Sequence, residues 1–262
     1  MTTPDLTRAA KYGDGAFETM RLVQGRIPLW SWHYERLRGT CHFLGLEWPT
    51  EWTQDGLHST LTNHTTDAPD ARIRLTVWRA GAGAYKPASD TLDYHISVVP
   101  LPQRLPHTHP KVLSVVYCDS IRVTPDALSP LKTLNGLPYV LAAREYTARG
   151  ADEGLLLNTQ GRVAEATAAN LFWVEDGSIY TPPLSEGALD GVMRRWLLEY
   201  IPVTEAVISP DALSRAEEVW LTNSVHGIRS VSRLEDATYD SRRALDVQQQ
   251  YIDWIESGIL TE

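Results

Sequence analysis

Apolar residues at Trp30, Tyr34, Leu37, Cys41 and Leu44 recur every three or four positions, the period of a helix that buries one face. Ahead of them, residues 15–23 read as a strand that turns at Gln24-Gly25 into a second short strand. A short helix is expected around 51–61. Strict alternation then places Ile73, Leu75 and Val77 on one strand face, and Leu92, Tyr94, Ile96 and Val98 on another.

Residues 100–110 break the pattern with four prolines and little that could pair in a sheet. Beyond them come a strand at 112–118, a loop at 125–130 and a helix at 137–146 with Asn135 near its start. Strands at 154–158, 171–174 and 179–181 follow, with a Gln160-Gly161 turn, then helical spacing over 192–200. Ser209-Pro210 is a helix-start signal. Residues 219–222 read as a strand and 241–256 as a closing helix ended by Gly258. The outline is α+β in two domains. Residues 1–104 form a small N-terminal α/β domain, 105–110 a linker, and 111–262 a larger C-terminal domain that carries Lys132.

Composition narrows the class. Of 262 residues, 43% are hydrophobic and 22% charged, the balance of a globular chain with a sizeable core. No apolar run approaches a membrane span, and the polar N-terminus lacks a signal-peptide core. Cys41 and Cys118 suggest neither a disulfide framework nor a metal site, so a reducing cytoplasm is expected. The net charge of −9, without a basic run, points away from nucleic acid and anionic membranes. Only Lys11, Lys86, Lys111 and Lys132 offer a primary amine.

Taken singly, the chemical candidates are weak. A loop lysine such as Lys132 is ordinarily a solvated charge, Glu165 could be an exposed strand carboxylate, and Gly187 and Gly191 could be plain turn residues. Their joint order changes that. Tyr12-Gly-Asp-Gly-Ala-Phe-Glu-Thr-Met-Arg21, His33-Tyr-Glu-Arg-Leu37, Leu131-Lys-Thr-Leu-Asn135, Gly161-Arg-Val-Ala-Glu-Ala-Thr-Ala-Ala-Asn-Leu-Phe172, Thr181-Pro182 and Gly187-Ala-Leu-Asp-Gly-Val-Met-Arg194 occur in sequence. This series resembles the class IV (fold type IV) pyridoxal-phosphate enzymes, which include branched-chain and D-amino acid aminotransferases and aminodeoxychorismate lyase.

The resemblance implies a pyridoxal 5′-phosphate cofactor attached to Lys132 through a Schiff base, the same amine later carrying a proton. It places Glu165 beside the pyridine nitrogen, whose protonated form a carboxylate favours. The phosphate would lie at the start of the 192–200 helix, at Val192 and Met193, where unpaired N–H groups favour an anion. Arg36, Asn223 and Ser224 would assist. Arg21, by resemblance, and Arg79, beside the loop at 80–85 that could line a pocket mouth, are candidates for a substrate carboxylate, because a guanidinium can grip both oxygens. The alternative, which weighs more for Arg79, is pairing with surface carboxylates. A homodimer and no metal are likewise implied.

Within the family the first reading is a transaminase moving an amino group between a small amino acid and a 2-keto acid by a ping-pong cycle. The alternative is 4-amino-4-deoxychorismate lyase, which the Ala168-Ala-Asn-Leu-Phe-Trp173 stretch and the Thr222-Asn-Ser run resemble. A non-catalytic binding relative is the remote third. The chain departs from the family in having about ten residues before the Gly-Asp-Gly segment, Leu137 where branched-chain enzymes carry tyrosine, and Phe17 where D-amino acid enzymes do.

Overall fold

The computed structural model describes residues 6–65, 69–101 and 112–258, so the expected linker at 105–110 lies outside the described residues. The described residues fall into two compact units, 6–101 together with 131–136, and 112–130 together with 137–258.

The first unit is a three-stranded antiparallel sheet in the order β1 (Gly15–Leu22), β2 (Ala71–Arg79), β3 (Leu92–Pro100). It is accompanied by α1 (Arg8–Tyr12), α2 (Trp30–Phe43) and α3 (Gln54–Asn63). Alternation does the sorting. Met20, Leu22, Ile73, Leu75 and Val77 are buried on one face with Leu37 of α2 and Leu57 of α3, while Arg72, Arg74 and Thr76 alternate onto the other. The second short strand expected after Gln24-Gly25 shrinks to one bridge between Val23 and Arg26. Pro28 lacks an N–H, and Leu29 at φ 61° turns the chain into α2 before pairing can extend.

Lys132 groups with this unit rather than with the larger C-terminal part that the sequence reading gave it. Backbone pairing is the reason. Phe17 N–H donates to the Lys132 carbonyl at 3.0 Å, Leu134 N–H donates to the Gly15 carbonyl at 2.9 Å, and Ala16 bridges Thr133.

The second unit is a mixed nine-stranded sheet. Its strands are β4 (Leu113–Val123), β5 (Glu153–Asn158), β6 (Val163–Ala166), β7 (Asn170–Glu175), β8 (Ser178–Thr181), β9 (Val203–Glu205), β10 (Glu218–Asn223), β11 (Gly227–Leu234) and β12 (Ala237–Thr238). They run β6-β5-β4-β11-β10-β7-β8-β9, with β12 beside β11. β4 is parallel to β5 and β11, and β8 to β9; the other pairs are antiparallel. Val115, Leu155, Leu171, Trp173, Val219, Leu221 and Val231 form a core on one side. On β10 and β11 rest α5 (Val192–Tyr200) and α7 (Arg242–Glu256), while α4 (Leu137–Ala148) packs on β4 and β5. The short α6 (Pro210–Leu213) starts as expected, its Ser209 hydroxyl accepting from Ala212 N–H at 3.2 Å. No described helix is long and apolar enough to cross a membrane.

Candidate active site

The Gly-Asp-Gly segment holds the Lys132 strip against β1. Gly13, at φ +66°, closes α1 in the left-handed region, and a Cβ there would meet Asn135 Oδ1 at 2.6 Å. A Cβ on Gly15 would lie 2.2 Å from the Val77 carbonyl oxygen and 2.9 Å from a Leu134 methyl. Between them, Asp14 Oδ2 accepts from Arg8 Nε at 2.8 Å and Arg79 Nε at 3.0 Å. A Gly15→Ala substitution is therefore expected to cost about 1–3 kcal/mol, since the backbone cannot retreat without unpairing β1. Urea unfolding checks this, and a loss below about 0.5 kcal/mol would show that the strip is not closely held.

The Lys132 ammonium nitrogen lies 4.5 Å from the Phe17 ring centroid, and the Arg74 guanidinium carbon 3.7 Å from the same centroid. Phe17, Thr19 and Arg21 alternate on the face of β1 opposite the apolar core, and the register sets them beside Thr76, Arg74 and Arg72 respectively. The Lys132 side of this sheet thus carries Arg21, Arg72 and Arg74. Burial, and then the charge of Arg72, lower the proton affinity of Arg74, which remains a cation. Arg74 escaped the sequence reading, although β2 alternation places it there as surely as it buries Leu75.

Arg79 is engaged by carboxylates of its own unit. Its Nε donates to Asp14, its Nη1 to Asp90 and to the Gly45 carbonyl, and its Nη2 to the Leu44 carbonyl. With the residue 6% exposed, these contacts tie β2 to the end of α2. The sequence could not show partners 35 and 65 positions away.

On the core side of β1, Glu18 is met by two residues one turn apart on α2. Arg36 donates from Nε to Oε1 at 2.7 Å and from Nη2 to Oε2 at 2.7 Å, while His33 Nδ1 lies 2.7 Å from Oε2. Burial alone would raise the Glu18 pKa, but Arg36 and then His33 pull it from 4.5 to about 2. Burial lowers the pKa of His33, so a neutral ring donates from Nδ1 to the carboxylate. Its Nε2 is buried and has no hydrogen-bond partner among the described residues. The arginine expected at the phosphate is thus oriented by a carboxylate that the sequence reading had left unassigned.

In the second unit, Glu165 on β6 is 3% exposed. Its Oε1 accepts from the Tyr139 hydroxyl and its Oε2 from Leu189 N–H, both at 2.8 Å. The loop carrying Leu189 leads into α5, whose N-cap is Gly191, and no side chain caps that end. A Cβ on Gly191 would fall 1.9 Å from Asn170 Oδ1, and Asn170 Nδ2 donates to the Leu189 carbonyl at 2.8 Å. Thr222, paired with Asn170 across β10 and β7, keeps a buried hydroxyl without a partner among the described residues. Asn223 holds a turn. Its Oδ1 accepts from Val225 and His226 N–H and its Nδ2 donates to the Ala168 carbonyl, so its side chain shapes the turn that presents Ser224.

These donors fit a phosphorylated pyridine. A buried carboxylate suits a protonated ring nitrogen, and an uncapped helix start with a glycine N-cap and an unsatisfied hydroxyl suits a phosphate.

The model of the family described as amino-transferase class IV matches residues 15–234. The chain is 32% identical to the aminodeoxychorismate lyase of Bacillus subtilis (strain 168), over 88% of this chain and 81% of that one. It resembles the solved 4-amino-4-deoxychorismate lyase from Pseudomonas aeruginosa with TM-score 0.80 and 28% identity, covering 96% of each chain. The branched-chain aminotransferase from the thermophilic archaeon Thermoproteus uzoniensis, solved with norvaline, shares the fold, with TM-score 0.86 and 22% identity over 96% of this chain and 88% of that one.

Proposed function

The chain belongs to the class IV aminotransferase family, fold type IV enzymes that use pyridoxal 5′-phosphate, and from that premise we propose that it is a lyase cleaving an anionic aminated ring substrate such as 4-amino-4-deoxychorismate. One observation carries this reading. The Lys132 face of the first sheet bears Arg21, Arg72 and Arg74, a density of guanidinium that suits two carboxylates better than a branched aliphatic side chain. The Bacillus subtilis relative and the Pseudomonas aeruginosa structure support the choice.

In this reading Lys132 holds the cofactor covalently, and its amine moves the proton at the carbon bearing the substrate nitrogen. Glu165 keeps a proton on the ring nitrogen. The N–H groups of Val192 and Met193, with Arg36, Ser224 and the turn built by Asn223, receive the phosphate. Arg21 and Arg74 orient the substrate. When bound, the cofactor supplies an electron sink for the pair released at that carbon. The active form is proposed to be a homodimer.

Transamination is the second reading, because the same arginines would accept a dicarboxylic keto acid such as 2-oxoglutarate. Incubating the holoenzyme with aminodeoxychorismate alone is expected to release pyruvate stoichiometrically, without any amino acceptor. If pyruvate fails to appear while L-glutamate, L-leucine, D-glutamate or D-alanine converts the cofactor to its amine form, the transaminase reading replaces the lyase.

A further inference from the structure

Glu165 is gripped from two sides. Leu189 N–H approaches one oxygen and the Tyr139 hydroxyl the other, each at 2.8 Å. Tyr139 is the third residue of α4, seven positions after Lys132, and its ring packs against the buried Cys118, Val123, Ala142, Leu156 and Ala164. That packing aims the hydroxyl. We infer that Tyr139 is a positioning residue that fixes the plane of Glu165 for the cofactor's ring nitrogen, an inference that rests on the proposed pairing of Glu165 with that nitrogen.

The chemistry of the pair supports this. A buried carboxylate is costly unless donors satisfy its oxygens, and a hydroxyl gives its one proton to one oxygen in a set direction. A backbone N–H on the second oxygen leaves the carboxylate little freedom to rotate. Burial first, and then the charge of Glu165, push the Tyr139 phenol far above its ordinary range, so it remains a donor at every working pH. A phenylalanine would fill the same volume and leave Oε1 without that donor. The carboxylate would then meet the ring nitrogen less well oriented, while contacts to phosphate and aldehyde would be unchanged.

A pair of ligands separates this role from plain packing. Apo wild type, Tyr139→Phe and Glu165→Ala are titrated with pyridoxal phosphate and with its 1-deaza analogue, in which carbon replaces the ring nitrogen. Wild type should prefer the natural cofactor. Tyr139→Phe should weaken it by about tenfold, the range of one hydrogen bond to a charged group, and should weaken the analogue by less than about twofold. Tyr139→Leu, a second variant in case phenylalanine misfolds, should show the same split. Equal weakening of both ligands, or of neither, overturns the role given to Tyr139. If Glu165→Ala retains the preference of wild type for the natural cofactor, the Glu165 pairing itself fails, which the tyrosine result alone would not reveal.

Discussion

Lys132→Ala is expected to lower kcat by at least ~10³-fold while leaving the fold intact, because in the proposed function one amine both anchors the cofactor and carries the proton. The contacts that hold the strip use backbone atoms, namely the Lys132 carbonyl under Phe17 N–H and the Gly15 carbonyl under Leu134 N–H, and alanine keeps them. The approach of the ammonium to Phe17 is lost, worth about 0.5–1 kcal/mol at a half-exposed site. The melting temperature of the apo variant should thus stay close to that of wild type. Borohydride reduction of wild-type holoenzyme should label the peptide containing Lys132, and reduction of the variant should label nothing. Small primary amines added to the variant should restore part of the rate, since they resupply the missing base. A fall in kcat under about tenfold, or a label on Lys11, Lys86 or Lys111, would remove Lys132 from the chemistry.

How much of this was legible in the chain depends on how local each cause is. The α2 stripe, the alternation of β2, the Ser209 cap and the glycine after α7 are set by neighbours a few residues apart, and they emerge where the pattern places them. The α1 helix carried its own signals, Thr7 as N-cap and Gly13 as left-handed stop, but five residues are too few to show a period. β6, β9, β11 and β12 were not assigned, and two of them are only three or two residues long. β11 is buried at most positions, so no alternation marks it.

Lys132, Glu165 and the start of α5 were found through the ordered motifs. The partners of Arg79 were not named and Tyr139 was overlooked for one shared reason, that these contacts lie far along the chain and are known only once it is folded. Glu18 sat inside the first motif, yet its role depends on α2 lying across β1. Arg74 is the instructive omission, because the alternation that exposes it was already in hand and only the polar phase of β2 went unread.

Glu18→Gln is expected to destabilise the protein by about 3–5 kcal/mol, the usual consequence of leaving one charge of a buried pair uncompensated. Glu18 is 1% and Arg36 6% exposed, and the neutral amide cannot balance the guanidinium that Glu18 meets with both oxygens. The same residues contribute to the acid limb of the stability curve. Glu18 titrates at 4.5 when unfolded and near 2 when folded, so its contribution is complete above 4.5 and is lost as the pH falls toward 2. The pKa of His33 is likewise lowered by folding, from 6.5, so the unfolded chain gains a proton that the folded chain resists, and stability declines as the pH drops below 6.5. Both groups act in one direction, and the folded protein is expected to be acid-labile. Urea unfolding of the apoprotein from about pH 8 to about pH 3 tests this. Wild type should lose stability in two stretches, below 6.5 and again below 4.5, whereas Glu18→Gln should start lower and show a shallower second decline, the remainder coming from Glu145 and Glu186, whose pKa values folding also lowers. Under the proposed role of Arg36 at the phosphate, the variant should also bind inorganic phosphate and pyridoxal phosphate more weakly, because Arg36 no longer has a fixed plane. A cost below about 1 kcal/mol would mean that Arg36 finds its place without Glu18.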